Sequence, residues 1–175
     1  MSNIDTIAYG RAGKMFTCTN VSAKIVTVVG TAMTGLVLSN PVGSGKYLAF
    51  MRAGYSLTTA LASISSIGIA ISPVQPTVPA TLTVGGAVIR SATGGAGTSV
   101  ADTYDTATLG VACVAARWFA GQDWITGGNG QHPYLFETAI DGELGLLPGA
   151  SAAFCMIGGT GPTGLGSISY VEVDL

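Results

Sequence analysis

The chain has 175 residues and carries 9% charged side chains against 48% hydrophobic ones, where an ordinary soluble domain carries about 25% charged residues. Seven basic and nine acidic residues give a formal net charge of −2 with no Lys/Arg cluster, which excludes the electrostatic footprint of a nucleic-acid-binding protein. The apolar content excludes disorder, and the length suits one domain around one core.

Mean hydropathy is +0.53, yet no window of about 18 residues is uniformly apolar. The nearest, residues 55–74, is interrupted by Ser, Thr and Gly and ended by Pro73, so no membrane span is expected. Residues 1–23 read as an N-terminal arm or extended segment, and 1–13 lack the apolar stretch and cleavage site of a signal peptide. Residues 24–175 read as a single β domain.

In chain order, runs rich in Val, Ile, Leu, Thr and Tyr fall at 24–29, 35–38, 46–58, 68–71, 80–90, 107–119, 134–140, 145–147, 152–157 and 167–173. Each is closed by Gly, Pro, Asn or Ser, the punctuation of strands. Short strands and turns along a whole chain predict an antiparallel sandwich or barrel. Only 60–66 and 112–119 have any helical character, and neither combines caps with charge bias. Little helix is expected.

The turns have chemical reasons. Asn40-Pro41 starts one, Gly43-Ser44-Gly45 permits positive φ, and Pro148-Gly149 fits the corner of a type II turn. Gly85-Gly86 suits a tight hairpin. Pro73, Pro76 and Pro79, three apart, suggest an extended crossover. Residues 91–105 and 121–132 read as long Gly-rich loops, the second holding Trp124, Asn129, Gln131 and the single His132.

Candidate chemistry is thin. Residues 40–46, Asn-Pro-Val-Gly-Ser-Gly-Lys, resemble a phosphate-binding loop, but Asn40 replaces its first Gly and Tyr47 its Mg²⁺-holding hydroxyl residue. One histidine cannot build a multi-His metal site within one chain, and no Gly-x-Ser-x-Gly elbow offers a nucleophile to pair with His132 and Asp123. Asp102 with Asp105, and Glu137 with Asp141, are the nearest approach to the paired carboxylates of glycosidases. Trp118 and Trp124, with Tyr134 and Phe136, suggest an aromatic platform or a packed contact. Cys18, Cys113 and Cys155 have no metal-like spacing and read as small buried hydrophobes. No catalytic, cofactor-binding or metal-ligating residue is assigned, and no enzyme activity is expected. So little charge leaves a surface of Gly, Ser, Thr and Ala, for which a permanent partner is the natural cover.

Leu36-Val-Leu-Ser-Asn-Pro-Val-Gly-Ser-Gly-Lys-Tyr-Leu48, continuing to Gly54-Tyr-Ser-Leu-Thr58, is similar to a family of small bacteriophage virion structural proteins. Leu146-Leu-Pro-Gly-Ala150 and Thr163-Gly-Leu-Gly-Ser-Ile-Ser-Tyr-Val-Glu-Val173 extend the likeness, which brackets the chain from about Thr34 onward. The resemblance implies a jelly-roll-like β-sandwich assembled as a homotrimer on the capsid surface, made in the host cytoplasm, with the major capsid protein as partner. It implies a cement or decoration protein that bridges capsomers, without cofactors. The alternative is a tail-fibre or spike component for host recognition, with residues 121–132 as the recognition loop.

Overall fold

The computed structural model describes residues 6–30, 32–59, 66–77, 87–92, 94, 97–109, 113–119, 135–157 and 162–175. It is an all-β sandwich of two antiparallel sheets packed face to face. The first sheet runs in the order β10 (Leu135–Ala139), β4 (Lys46–Leu57), β13 (Thr163–Asp174), β1 (Met15–Asn20), β7 (Ala87–Ser91). β11 (Gly145–Leu146) pairs with β4, and β2 (Lys24–Ile25) with β13. The second sheet runs β6 (Pro76–Thr77), β8 (Asp102–Leu109), β3 (Ala32–Ser39), β12 (Ser151–Met156), β5 (Ile67–Ser72), β9 (Val114–Trp118). The chain changes sheet at β2 to β3, β3 to β4, β4 to β5, β6 to β7, β7 to β8, β9 to β10, β11 to β12 and β12 to β13, so most consecutive strands lie in opposite sheets, as in a jelly roll.

Period-two alternation builds that core. Phe16 and Cys18 of β1, Tyr55 and Leu57 of β4, and Ile168 and Tyr170 of β13 point inward from the first sheet. Leu36, Leu38, Ile67, Ile69, Phe154 and Met156 meet them from the second. Aromatic rings fill the centre, with Tyr55 and Phe119 both packed on Phe154.

A second, smaller cluster lies on the other side of the second sheet. Ala153 and Cys155 alternate with the inward Ala152, Phe154 and Met156, and Ala70 alternates with Ile69. Val37, Met33, Ala107, Leu109 and Cys113 complete it. A register shift between Thr34 and Val37, with Gly35 at φ 93°, bulges the β3–β8 ladder. A bulge bends its strand, and Met33, Ala107 and Leu109 beyond this one join the outer cluster. Gly35 is required there because other side chains are strained at that φ.

Several expectations need correction. Residues 15–20, within the segment read as an arm or extended stretch, form β1, hydrogen-bonded to β13 on one side and β7 on the other. The stretch 102–105, read as loop, is the start of β8. Residues 107–119, read as one strand-like run, contain the end of β8 and all of β9, two separate strands. The described residues contain one helix, α1 (Thr6–Arg11), which the sequence did not suggest. Within the proline series, Pro76 opens β6, while Pro79, Gly85-Gly86 and 60–65 lie outside the described residues.

Candidate interaction surface

One end of the sandwich is organised by Asn40, which follows β3 and is fully buried. Its Nδ2 donates to the carbonyls of Lys46 at 2.8 Å and Leu146 at 2.9 Å, tying the β3–β4 turn to the start of the β11–β12 turn. Its backbone N–H donates to Ala150 O, and its carbonyl accepts from Gly149 N–H at 2.8 Å and Gln75 Nε2 at 2.7 Å. Asn40 Oδ1 is buried without a hydrogen-bond partner among the described residues, so the donated bonds must offset that desolvation. A side-chain amide suits this position because it supplies two donors to two buried carbonyls at once.

The turns themselves are fixed locally. Ala150 N–H donates to Leu147 O across Pro148-Gly149, with Gly149 at φ 90°, the type II geometry that its sequence predicts. Gly43 and Gly45 both adopt positive φ, so residues 40–46 form a strand-connecting turn. Ser39, Ser151 and Ser72 stand in one row across β3, β12 and β5, all buried. Residues 73–75 are bonded over this row: Gln75 Nε2 donates to Ser39 Oγ at 2.8 Å, Ser151 Oγ to Val74 O at 2.9 Å, and Val74 N–H to Ser72 Oγ at 3.3 Å.

These pinned segments carry exposed aliphatic side chains. Val42 is 78% exposed, Leu147 59%, Val74 38% and Leu175 70%, and Leu175 N–H donates to Gly45 O in the same turn. Exposed apolar side chains held on hydrogen-bonded segments at one end of a fold are a feature of interaction surfaces. Alongside them Asp174 accepts from Lys14 Nζ at 2.8 Å and from Lys46 Nζ. The two ammonium groups hold its carboxyl down from 3.8 to about 2. Behind this end, Glu172 Oε1 accepts from Ser99 Oγ at 2.6 Å and Val100 N–H at 2.8 Å, and Tyr170 OH lies 2.6 Å from Ser99 Oγ. That cluster fastens residues 99–101 to β13, and burial raises the Tyr170 phenol above its ordinary range.

The residues singled out from sequence are dispersed. Asp105 is buried in an ion pair with Lys24 at 3.0 Å, and Asp102 is exposed at the start of β8. Glu137 pairs with Arg52 at 3.1 Å across β10 and β4, while Asp141, at φ 50°, forms the turn after β10. Trp118 lies over Gly68, whose hypothetical Cβ would come 2.8 Å from Cε3. Phe136 is in β10, but its side chain, like Asp123, Trp124, His132 and Tyr134, falls outside the described residues. All three cysteines are buried thiols, and burial pushes Cys18 and Cys155 up to about 12. Among the described residues no group of three His, Cys, Asp or Glu side chains could hold a metal ion.

Sequence reasoning missed Asn40 as a hub and Val42, Val74 and Leu147 as a surface. A signal was present, since each of these three aliphatics adjoins a proline in a turn, where polar residues are the norm. No family model, curated protein or solved structure matches the chain.

Proposed function

We propose that the chain is a non-catalytic structural component of a bacteriophage virion, a cement or decoration protein that coats the head and bridges capsomers of the major capsid protein. One observation carries this reading: two of the segments that resemble small virion proteins, 36–48 and 146–150, are joined side chain to backbone by Asn40. The resemblance therefore falls on the pinned turns that present Val42 and Leu147, rather than on core strands alone.

The physical case agrees. Turns already fixed by hydrogen bonds lose little entropy on docking, and aliphatic side chains at their tips gain by leaving water. A surface of this kind suits a permanent contact with a shell, repeated at every copy. One carboxylate of each candidate pair is held by a cation, Asp105 by Lys24 and Glu137 by Arg52.

Quantitative mass spectrometry of purified virions, normalised to the major capsid protein, tests the reading. Copies in a simple ratio to capsid protein are expected. Absence from purified heads overturns it, and a few copies per particle would move the chain to a tail or spike.

A further inference from the structure

The outward face of the first sheet, opposite the core, is unlike the rest of the described residues. Between the inward Phe16, Cys18, Ile168, Tyr170, Ala53 and Tyr55, the outward positions of the two middle strands β1 and β13 are the hydroxylated Thr17, Thr19, Ser167 and Ser169. One row across the sheet reads Arg90, Thr17, Ser169, Arg52, Ala139, and the next reads Val88, Thr19, Ser167, Gly54, Glu137. Thr17 Oγ1 and Ser169 Oγ lie 2.9 Å apart, bonded within the face. The charges sit on the edge strands β7 and β10 and on β4, where Arg52 reaches toward the β10 edge to Glu137. Arg90 is exposed on β7 and has no carboxylate partner among the described residues, whereas exposed Glu137, on β10 at the opposite edge, is bonded to Arg52.

β13 is the central strand of this path, with β4 and β10 on one side and β1 and β7 on the other. We propose that this face docks on the same face of a second copy of the chain, about a two-fold axis running along β13. Such an axis lays each β7 edge over the β10 edge of the other copy. Arg90 of each chain then meets Glu137 of the other, one row away, twice per dimer. An axis across the strands would instead set β7 over β7 and Arg90 against Arg90, so the charge pattern selects the first arrangement. Small Ser, Thr and Gly side chains allow two flat sheets to approach at the usual spacing of about 10 Å. Five strands spaced by about 4.8 Å cover on the order of 500 Å² per copy. That is near the lower end for specific interfaces, so association in the micromolar range or weaker follows.

Sedimentation of the purified full-length protein at rising concentration, with charge reversals on either edge, tests this. Wild type is expected to pass from monomer to dimer. Arg90→Glu alone sets Glu against Glu twice and Glu137→Arg alone sets Arg against Arg twice, so each variant should associate at least tenfold more weakly. An equimolar mixture of the two variants restores both opposite-charge pairs in a heterodimer and should recover wild-type association within about threefold. Both residues are exposed, and circular dichroism checks that each variant is folded. A wild-type monomer at all concentrations, a trimer, unaltered single variants, or no recovery in the mixture would overturn the proposal. None of these outcomes bears on docking to a shell through the Asn40 end.

Discussion

The ring of Phe154 covers Gly166 so closely that a Cβ on Gly166 would stand 2.6 Å from Cε2 and 2.7 Å from Cδ2. Gly166 lies in β13 of one sheet and Phe154 in β12 of the other, so this contact sets how near the two sheets come at the centre of the core. Phe154 also carries Tyr55 and Phe119 and cannot yield without moving them. Gly166→Ala should therefore destabilise the fold by about 1–3 kcal/mol through overpacking. Urea denaturation checks it, and a midpoint equal to wild type would show that the ring shifts freely.

Asn40→Ala removes the donors to Lys46 O and Leu146 O while leaving both carbonyls beneath the turns. A loss of about 1–3 kcal/mol is expected, together with faster hydrogen exchange at Gly149 and Ala150, whose amides are bonded in the same cluster. Exchange unchanged at these amides would mean that the turns hold their shape without Asn40.

Asp174 supplies a pH dependence. Its hydrogen bonds from Lys14 and Lys46 lower its folded pKa from 3.8 to about 2. Since the folded value is the lower one, the contribution is fully present above the unfolded pKa and is lost as pH falls through the window from 3.8 to about 2. Lys14 is raised from 10.5 by the same bond, so its share is fully present below that pH and is lost as pH rises through the folded value. The groups are solvent-exposed, which keeps the effect small. Stability of wild type minus that of Asp174→Asn should be constant near neutrality and shrink toward zero at pH 2, and a difference growing with acidity would refute the sign.

How much of this was legible in the sequence depended on which interactions were local. Strands 46–57 and 151–156 and the 167–173 part of β13 could be read because apolar, strand-forming runs and the turn residues that close them are encoded within each segment. Met15–Asn20 alternates, but Thr17 and Thr19 face outward and the inward Asn20 is polar, with Nδ2 donating to Ser22 O and Gly164 O. Its place between β13 and β7 is a long-range fact. Asp102 and Asp105 made the start of β8 look like loop, whereas Asp105 is accommodated by Lys24, far away in sequence. The Asn40 end was least legible, because the segments that carry Val42, Val74, Leu147 and Leu175 are far apart in sequence and are held at this end by tertiary hydrogen bonds.

The thiols offer a probe of folding. Cys18 sits in the main core and Cys155 in the outer cluster, and burial raises both to about 12, which leaves little thiolate at neutral pH. Cys113 is buried and donates to Gly30 O at 3.0 Å. A thiol reagent at pH 8 should label none of the three quickly in the native protein and all three in denaturant. Rapid native labelling of Cys113 alone would report local opening of the outer cluster.

The most direct test of the central claim is binding of the purified chain to phage heads depleted of it, comparing wild type with Val42→Asp/Leu147→Asp. Burying two aliphatic side chains is worth about 3 kcal/mol or more, so the double variant should bind at least 100-fold more weakly while its unfolding temperature stays the same. Equal binding by the variant, or no saturable binding by wild type, would contradict docking through the Asn40 end.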